Sequence, residues 1–262
     1  MTNNFKANPY NSLNVLIQDI DIHNIFKSFD LTIDIKNIEI YQRAFNHKSY
    51  CEEIDYSDFT NDINALPLRS ESYEKMEFLG DSILGFITCE YIYSRYTEIY
   101  GCDECFSTKM KNRLVCGDNL SFLSKSIGLD RFIVISKHID ENCDGRNNTN
   151  ILEDVFEAFI GAIYLDTGDI ELTRKFLIGV YERYIDFSDI IIRDTNYKDV
   201  LIRYMQNTFN VRPTYDIIKQ EEQFECNVLR DNNIISSGKG ITKKKSEQNA
   251  SHNALIKYGV IN

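Results

Sequence analysis

Apolar residues fall at helical spacing along most of the chain and give way to alternation only near its end. Ile22, Ile25, Phe26 and Phe29, then Ile38, Tyr41, Ala44 and Phe45, mark helices between residues 20 and 50. The densest run, Glu74 to Tyr93, has Met76, Phe78, Leu79, Ile83, Leu84, Phe86 and Ile87 on nearly all sides and no proline, which predicts a long buried helix. A break is expected over Tyr96–Glu104, which contains Gly101. Ser107 is then placed to cap a third helix through Lys109–Val115, and Leu120, Phe122, Leu123 and Ile127 carry the pattern to Gly128. Ile151–Asp166 is a second strongly apolar helix, and a last one covers residues 170–186. No stretch between 20 and 186 reads as a strand ladder, so this body is predicted to be all-α.

The tail follows another rule. Residues 197–209 are helical in pattern, Phe224–Leu229 alternates, and Asp231-Asn232-Asn233 is a hairpin-like turn before Ile234–Gly238. Gly238-Lys239-Gly240 is expected to turn into a final helix, Lys243–Tyr258, giving α-β-β-β-α. Four parts result: an extension over 1–19 ending in a short helix, the body 20–186, a linker 187–196, and a small domain 197–262. Residues 51–70, polar and acidic, read as a loop or insertion ahead of the central helix.

Carboxylates in the two apolar helices need an explanation. Glu74, Glu77 and Asp81 are spaced i, i+3, i+7, within about 60° on one face. Asp154 and Glu157 are i, i+3 neighbours in the second helix. Acid pairs at this spacing are usually solvated, but these sit beside Phe-Leu-Gly and Phe-Ile-Gly-Ala. Buried carboxylates repel each other and are costly to desolvate. A cation is therefore expected, and four converging acids make an all-oxygen site suited to Mg²⁺ or Mn²⁺. His47, by contrast, reads as a hydrogen-bonded structural residue. In the tail, Thr242 is a fair N-cap followed by Lys243, Lys244 and Lys245 in the first turn, a place where free backbone N–H groups and cations together suit phosphate.

Charge sharpens the division. The net charge of −11 speaks against nucleic acid, yet residues 195–262 hold 10 Lys and Arg against 7 Asp and Glu, while residues 1–194 hold 19 against 33. Seven scattered cysteines read as free thiols; Cys102 and Cys105 have CxxC spacing with no second pair to complete a zinc set. The absence of a long apolar run or a signal-peptide pattern points to an intracellular, cytoplasmic protein without a membrane partner.

With these residues in view, the chain resembles the ribonuclease III family. Glu74-Lys75-Met76-Glu77-Phe78-Leu79-Gly80-Asp81-Ser82-Ile83-Leu84 is similar to its signature helix, Asp154–Asp166 to its second acidic motif, and Ala44–Tyr50 to its A-[LF]-[TN]-H-x-S-Y. Lys198, Leu201, Pro213, Tyr215, Gly238-Lys239-Gly240 and Lys243-Lys244 resemble a double-stranded-RNA-binding domain. The resemblance implies an all-α endonuclease domain followed by that domain. It implies that Glu77, Asp81, Asp154 and Glu157 bind Mg²⁺, with Mn²⁺ as substitute. Asp81 and Glu157 would be catalytic, Glu157 would bridge metals at the scissile phosphate, and Glu74 would be an accessory acid. Lys198, Lys243, Lys244 and Lys245 would bind RNA. It further implies a homodimer through the signature helices, and products with 5′-phosphate and 3′-hydroxyl ends. The tail departs from the family pattern at Lys219–Phe224, where acids enter the loop between the first two strands, at Ile202, and at Glu247, which stands at the third basic position of the last helix. The rival classes are a non-catalytic double-stranded-RNA-binding protein of the same fold, an all-α diphosphate enzyme, whose DDxxD runs are missing here, and a ribosome-associated structural subunit.

Overall fold

A computed structural model describes residues 7–52, 54–192, 196–220 and 223–261. Outside the described residues lie the first six positions of the extension, residue 53 of the expected 51–70 insertion, 193–195 of the linker, Glu221 and Glu222 of the tail loop, and the last position of the small domain. The chain forms two compact units, divided between Asp186 and Phe187.

The first unit runs α1 (Asp19–Lys27), α2 (Ile38–Arg43), α3 (Glu74–Ile92), α4 (Glu98–Tyr100), α5 (Glu104–Leu114), α6 (Gly117–Ser126), α7 (Lys137–Asn142), α8 (Thr149–Thr167) and α9 (Ile170–Tyr184), with short 3₁₀ turns between some of them. No strand pairing beyond the isolated bridges Asn46–Val134 and Cys51–Arg69 occurs in it among the described residues. Its core is aromatic. Phe176 stacks on Phe26 at 4.8 Å and meets Phe159 edge-on at 5.9 Å, and Phe159 also contacts Phe45 at 5.9 Å. Asp166, at the end of α8, is buried and accepts from the Lys36 and Asn37 backbone N–H groups and from the Tyr41 hydroxyl. It ties the start of α2 to the core and is a structural acid.

Four expectations change. The segment before α1 is no appendage: Asn11 and Asn14 are buried, both donate to the Ile135 carbonyl, and Ile135 N–H donates back to Asn14. Asparagine amides here satisfy an internal backbone edge, which a polarity reading takes for solvent exposure. The helical path does not break at Tyr96. It continues from α3 as a π-turn over Tyr93–Thr97 into α4 and ends at Gly101. Tyr91 and Tyr96 are both buried, and an α-helical step of five would set them about 140° apart; the wider turn keeps both inside. The cap of α5 is Asp103, whose Oδ1 accepts from Phe106 N–H at 2.8 Å, while Ser107 donates to the Asp103 carbonyl. Finally, α3 is not buried all round, since Phe78 is 78% and Phe86 56% exposed.

The packing of α3 on α8 depends on two glycines. A Cβ on Gly80 would stand 1.8 Å from the Glu157 carbonyl oxygen, and one on Gly161 2.6 Å from that of Met76. The two backbones therefore touch, and no side chain fits between them.

In the second unit, α10 (Phe187–Ile192) occupies residues expected as linker, and α11 (Tyr197–Phe209), β1 (Thr214–Gln220), β2 (Gln223–Arg230), β3 (Asn233–Gly240) and α12 (Lys243–Lys257) follow. The sheet is antiparallel in the order β1-β2-β3. Leu201, Met205, Cys226, Val228, Ala250, Ala254 and Leu255 form the buried core between sheet and helices. β3 continues through Gly238 to Gly240 instead of turning there. A Cβ on Gly238 would lie 2.2 Å from Ala250 N, so the glycine admits the α12 backbone against the strand.

Gly80→Ala should destabilise the chain by about 1–3 kcal/mol or more in urea unfolding, through overpacking at the crossing. Gly85→Ala, on the same helix and with nothing within 4 Å of its Cβ, should be neutral or stabilising by up to about 1 kcal/mol. Equal effects at the two positions would contradict a glycine-dependent crossing.

Candidate active site: an acidic face at the helix crossing

The glycine contact and the acids coincide. Gly80 lies between Glu77 and Asp81 in α3, and the atom it touches is the backbone oxygen of Glu157, with Asp154 one turn earlier in α8. The closest approach of the two backbones therefore lies at the acids.

The carboxylates act on each other strongly. Burial pushes Glu157 up to about 8, and the charges of Asp81, Glu153, Glu77 and Asp154 add to the rise. Glu77 is raised to about 7, by burial first, then by Asp154 and Glu74, with Lys48 opposing. Asp154 is raised by burial, while a hydrogen bond from Tyr73 and the charge of Lys48 pull the other way. The Tyr73 hydroxyl donates to Asp154 Oδ2 at 3.1 Å. Lys48 Nζ stands 3.0 Å from Glu74 Oε1 at the exposed rim. Asp81 is exposed, and Glu77, Asp154 and Glu157 are half-buried.

Thus Glu77 feels Asp154 and Glu74, and Glu157 feels Asp81, Glu77 and Asp154, so the acids expected from each helix act on one another across the α3–α8 crossing. The expected convergence goes less far: among the described residues no three His, Cys, Asp or Glu side chains are gathered closely enough to hold a metal ion. The donor set nonetheless fits a hard divalent cation, because all the donors are carboxylate oxygens and the charges that raise Glu157 are those of four neighbouring carboxylates.

Three neighbours escaped the sequence reading. Tyr73 immediately precedes the signature helix, Lys48 lies inside His47–Tyr50, and Glu153 adjoins Asp154; sequence adjacency to a motif was the available signal. Glu153 is raised by burial and then by Asp154, Asp118 and Asp81, and its carboxylate lies against Gly117, where a Cβ would meet Oε2 at 2.4 Å. His47 is structural, as expected: its Nδ1 accepts from the Ser49 N–H at 3.2 Å, and burial lowers its pKa to about 4.

In the tail, Lys243, Lys244 and Lys245 are exposed in the first turn of α12, and Thr242 caps it by accepting from Lys245 N–H at 3.1 Å. Lys198 is placed differently, with its Nζ 2.7 Å from Glu247 Oε2.

Comparison with known proteins supplies the family. A family described as Ribonuclease-III-like matches residues 37–180, and the double-stranded RNA binding motif matches residues 197–258. Ribonuclease 3 of Borreliella afzelii is 32% identical over 86% of this chain and 87% of its own length. A probable ribonuclease 3 of Acanthamoeba polyphaga mimivirus is 35% identical over 97% of this chain and 45% of its own. The nuclease domain of ribonuclease III from Campylobacter jejuni superposes with a TM-score of 0.50 at 25% identity, covering 65% of this chain and 100% of that one. Two acidic helices crossing at paired glycines, followed by an α-β-β-β-α tail, thus have matching relatives over both units, and the chain belongs to the ribonuclease III family.

Proposed function

We propose that this double-stranded-RNA-specific endoribonuclease is divalent-metal-dependent, with Glu77, Asp81, Asp154 and Glu157 holding Mg²⁺, or Mn²⁺ in its place. The observation that carries the reading is the electrostatic coupling of the carboxylates around the Gly80–Gly161 crossing, with Glu157 and Glu77 raised to about 8 and 7. When bound, the metal supplies charge neutralisation of the phosphate and an activated water. The chain's own residues set the stage. Tyr73 fixes one oxygen of Asp154 and so orients the other, and Lys48 holds Glu74 at the rim. Glu157 and Glu77 must give up protons as the cation enters, which ties metal affinity to pH. In the reaction, water adds to phosphorus and the bond to the 3′-oxygen breaks. The phosphate stays on the 5′ side and a 3′-hydroxyl leaves.

The tail is the part suited to the duplex. Its double-stranded RNA binding motif and exposed Lys243, Lys244 and Lys245 meet a backbone read by shape, 2′-hydroxyls and phosphates. The exposed Phe78 and Phe86, eight residues apart on α3, fit burial against a second copy of the chain, a homodimer through the signature helices.

Glu157→Gln should keep fold and duplex binding but lower cleavage of labelled long double-stranded RNA by more than about 100-fold, beyond what loss of a group one step from a metal brings. Cleavage at the parent rate on a denaturing gel would refute the metal assignment. Linkage gives a second check. Carboxyls raised in the folded chain from 4.5 to about 7 and 8 hold protons more tightly than in the unfolded one, so the stability they confer is complete below 4.5 and is lost as pH rises to about 7 to 8. In EDTA, Tm should fall between about pH 5 and 8, and Mg²⁺ should remove part of that fall in the parent but less in Glu157→Gln. A pH dependence that Mg²⁺ leaves unchanged would count against the site.

A further inference from the structure

Lys198 belongs to a network that joins the two helices of the tail. Its ammonium is 2.7 Å from Glu247 of α12, with side-chain exposures of 31% and 20%, and it also stands 4.6 Å from the ring centroid of Tyr215. Its backbone N–H donates to Gln248 Oε1 at 3.2 Å, and Gln248 Nε2 donates to Asn196 Oδ1 at 2.8 Å. The Tyr215 hydroxyl in turn pairs with Ser251 Oγ at 3.0 Å. Exposed ion pairs contribute little, but this cation is held between a carboxylate and an aromatic face, where desolvation strengthens both contacts.

We infer that Lys198 is a positioning residue and not a phosphate contact: its pairing with Glu247 fixes the start of α12, which carries Lys243, Lys244 and Lys245, against α11. This rests on the reading that those three lysines face the duplex. Glu247 sits four residues after Lys243 on the same helix, so a contact there transmits directly to the cationic turn. It also withholds one positive charge from the RNA, since the ammonium it engages is already neutralised. The tail therefore binds with fewer phosphate contacts than its lysine count suggests.

Salt dependence separates the two roles, because only a cation that neutralises a phosphate changes the slope of log K against log salt. The full chain would be titrated with a short double-stranded RNA in Ca²⁺ across a KCl series. Lys244→Met should lower the slope by about 1. Lys198→Met should weaken binding several-fold at every salt concentration with the slope unchanged. The double variant Lys198→Met/Glu247→Met, an apolar pair of similar reach, should recover most of the affinity. A slope loss of about 1 in Lys198→Met, or a double variant as weak as the single, would overturn the inference. An unchanged slope in Lys244→Met would instead overturn the interface reading, and this inference with it.

Discussion

The contact between the backbones of α3 and α8 at Gly80 and Gly161 is the constraint on which the rest of the first unit depends. Helices separated by ordinary side chains keep their axes 8–10 Å apart. Here an added Cβ at Gly80 would lie 1.8 Å from a carbonyl oxygen, so the axes have no freedom to separate without changing the site. Glu77 and Asp81 flank one glycine and Glu157 stands one turn before the other. Apolar neighbours such as Ile83, Leu84, Val155 and Phe159 hold the pair together, although the carboxylates between them repel. Hydrophobic burial thus offsets an electrostatic conflict that the fold itself creates.

Much of this was legible in the chain. Period-3.6 apolar spacing located α3 and α8, and acids placed among Phe, Leu, Ile and Gly marked the candidate face. The exposed stripe on α3 was not legible, because Phe78 and Phe86 have the same composition whether they meet a core or another chain. Nor were Tyr73, Lys48 and Glu153, since their part in the site comes from where α3, α8 and the loop around His47 meet in space. The π-turn at Tyr93–Thr97 answers to two buried tyrosines five apart, a spacing that no regular helical template contains.

In the tail, the α-β-β-β-α order followed from alternation and turn residues, and the capped first turn of α12 from Thr242. The pairing of Lys198 with Glu247 could not be read from either residue alone. One lies on the first helix and the other on the last, and a Lys run and a lone Lys look equally cationic on paper. What distinguishes them is that one has a carboxylate and a ring beside it while the three in α12 stand exposed.

The buried strap ahead of α1 bears on how the molecule is made. Asn11 and Asn14 bond to Ile135 across 124 and 121 positions of sequence. Contacts of such long sequence separation carry a large loop-closure entropy and form slowly. During synthesis, the first of these residues to leave the ribosome must wait for partners translated far later, several seconds on at about 5–20 residues per second. The strap ahead of α1 thus stays unpaired until Ile135 has been made, and its place in the fold is set by residues that follow it at a distance.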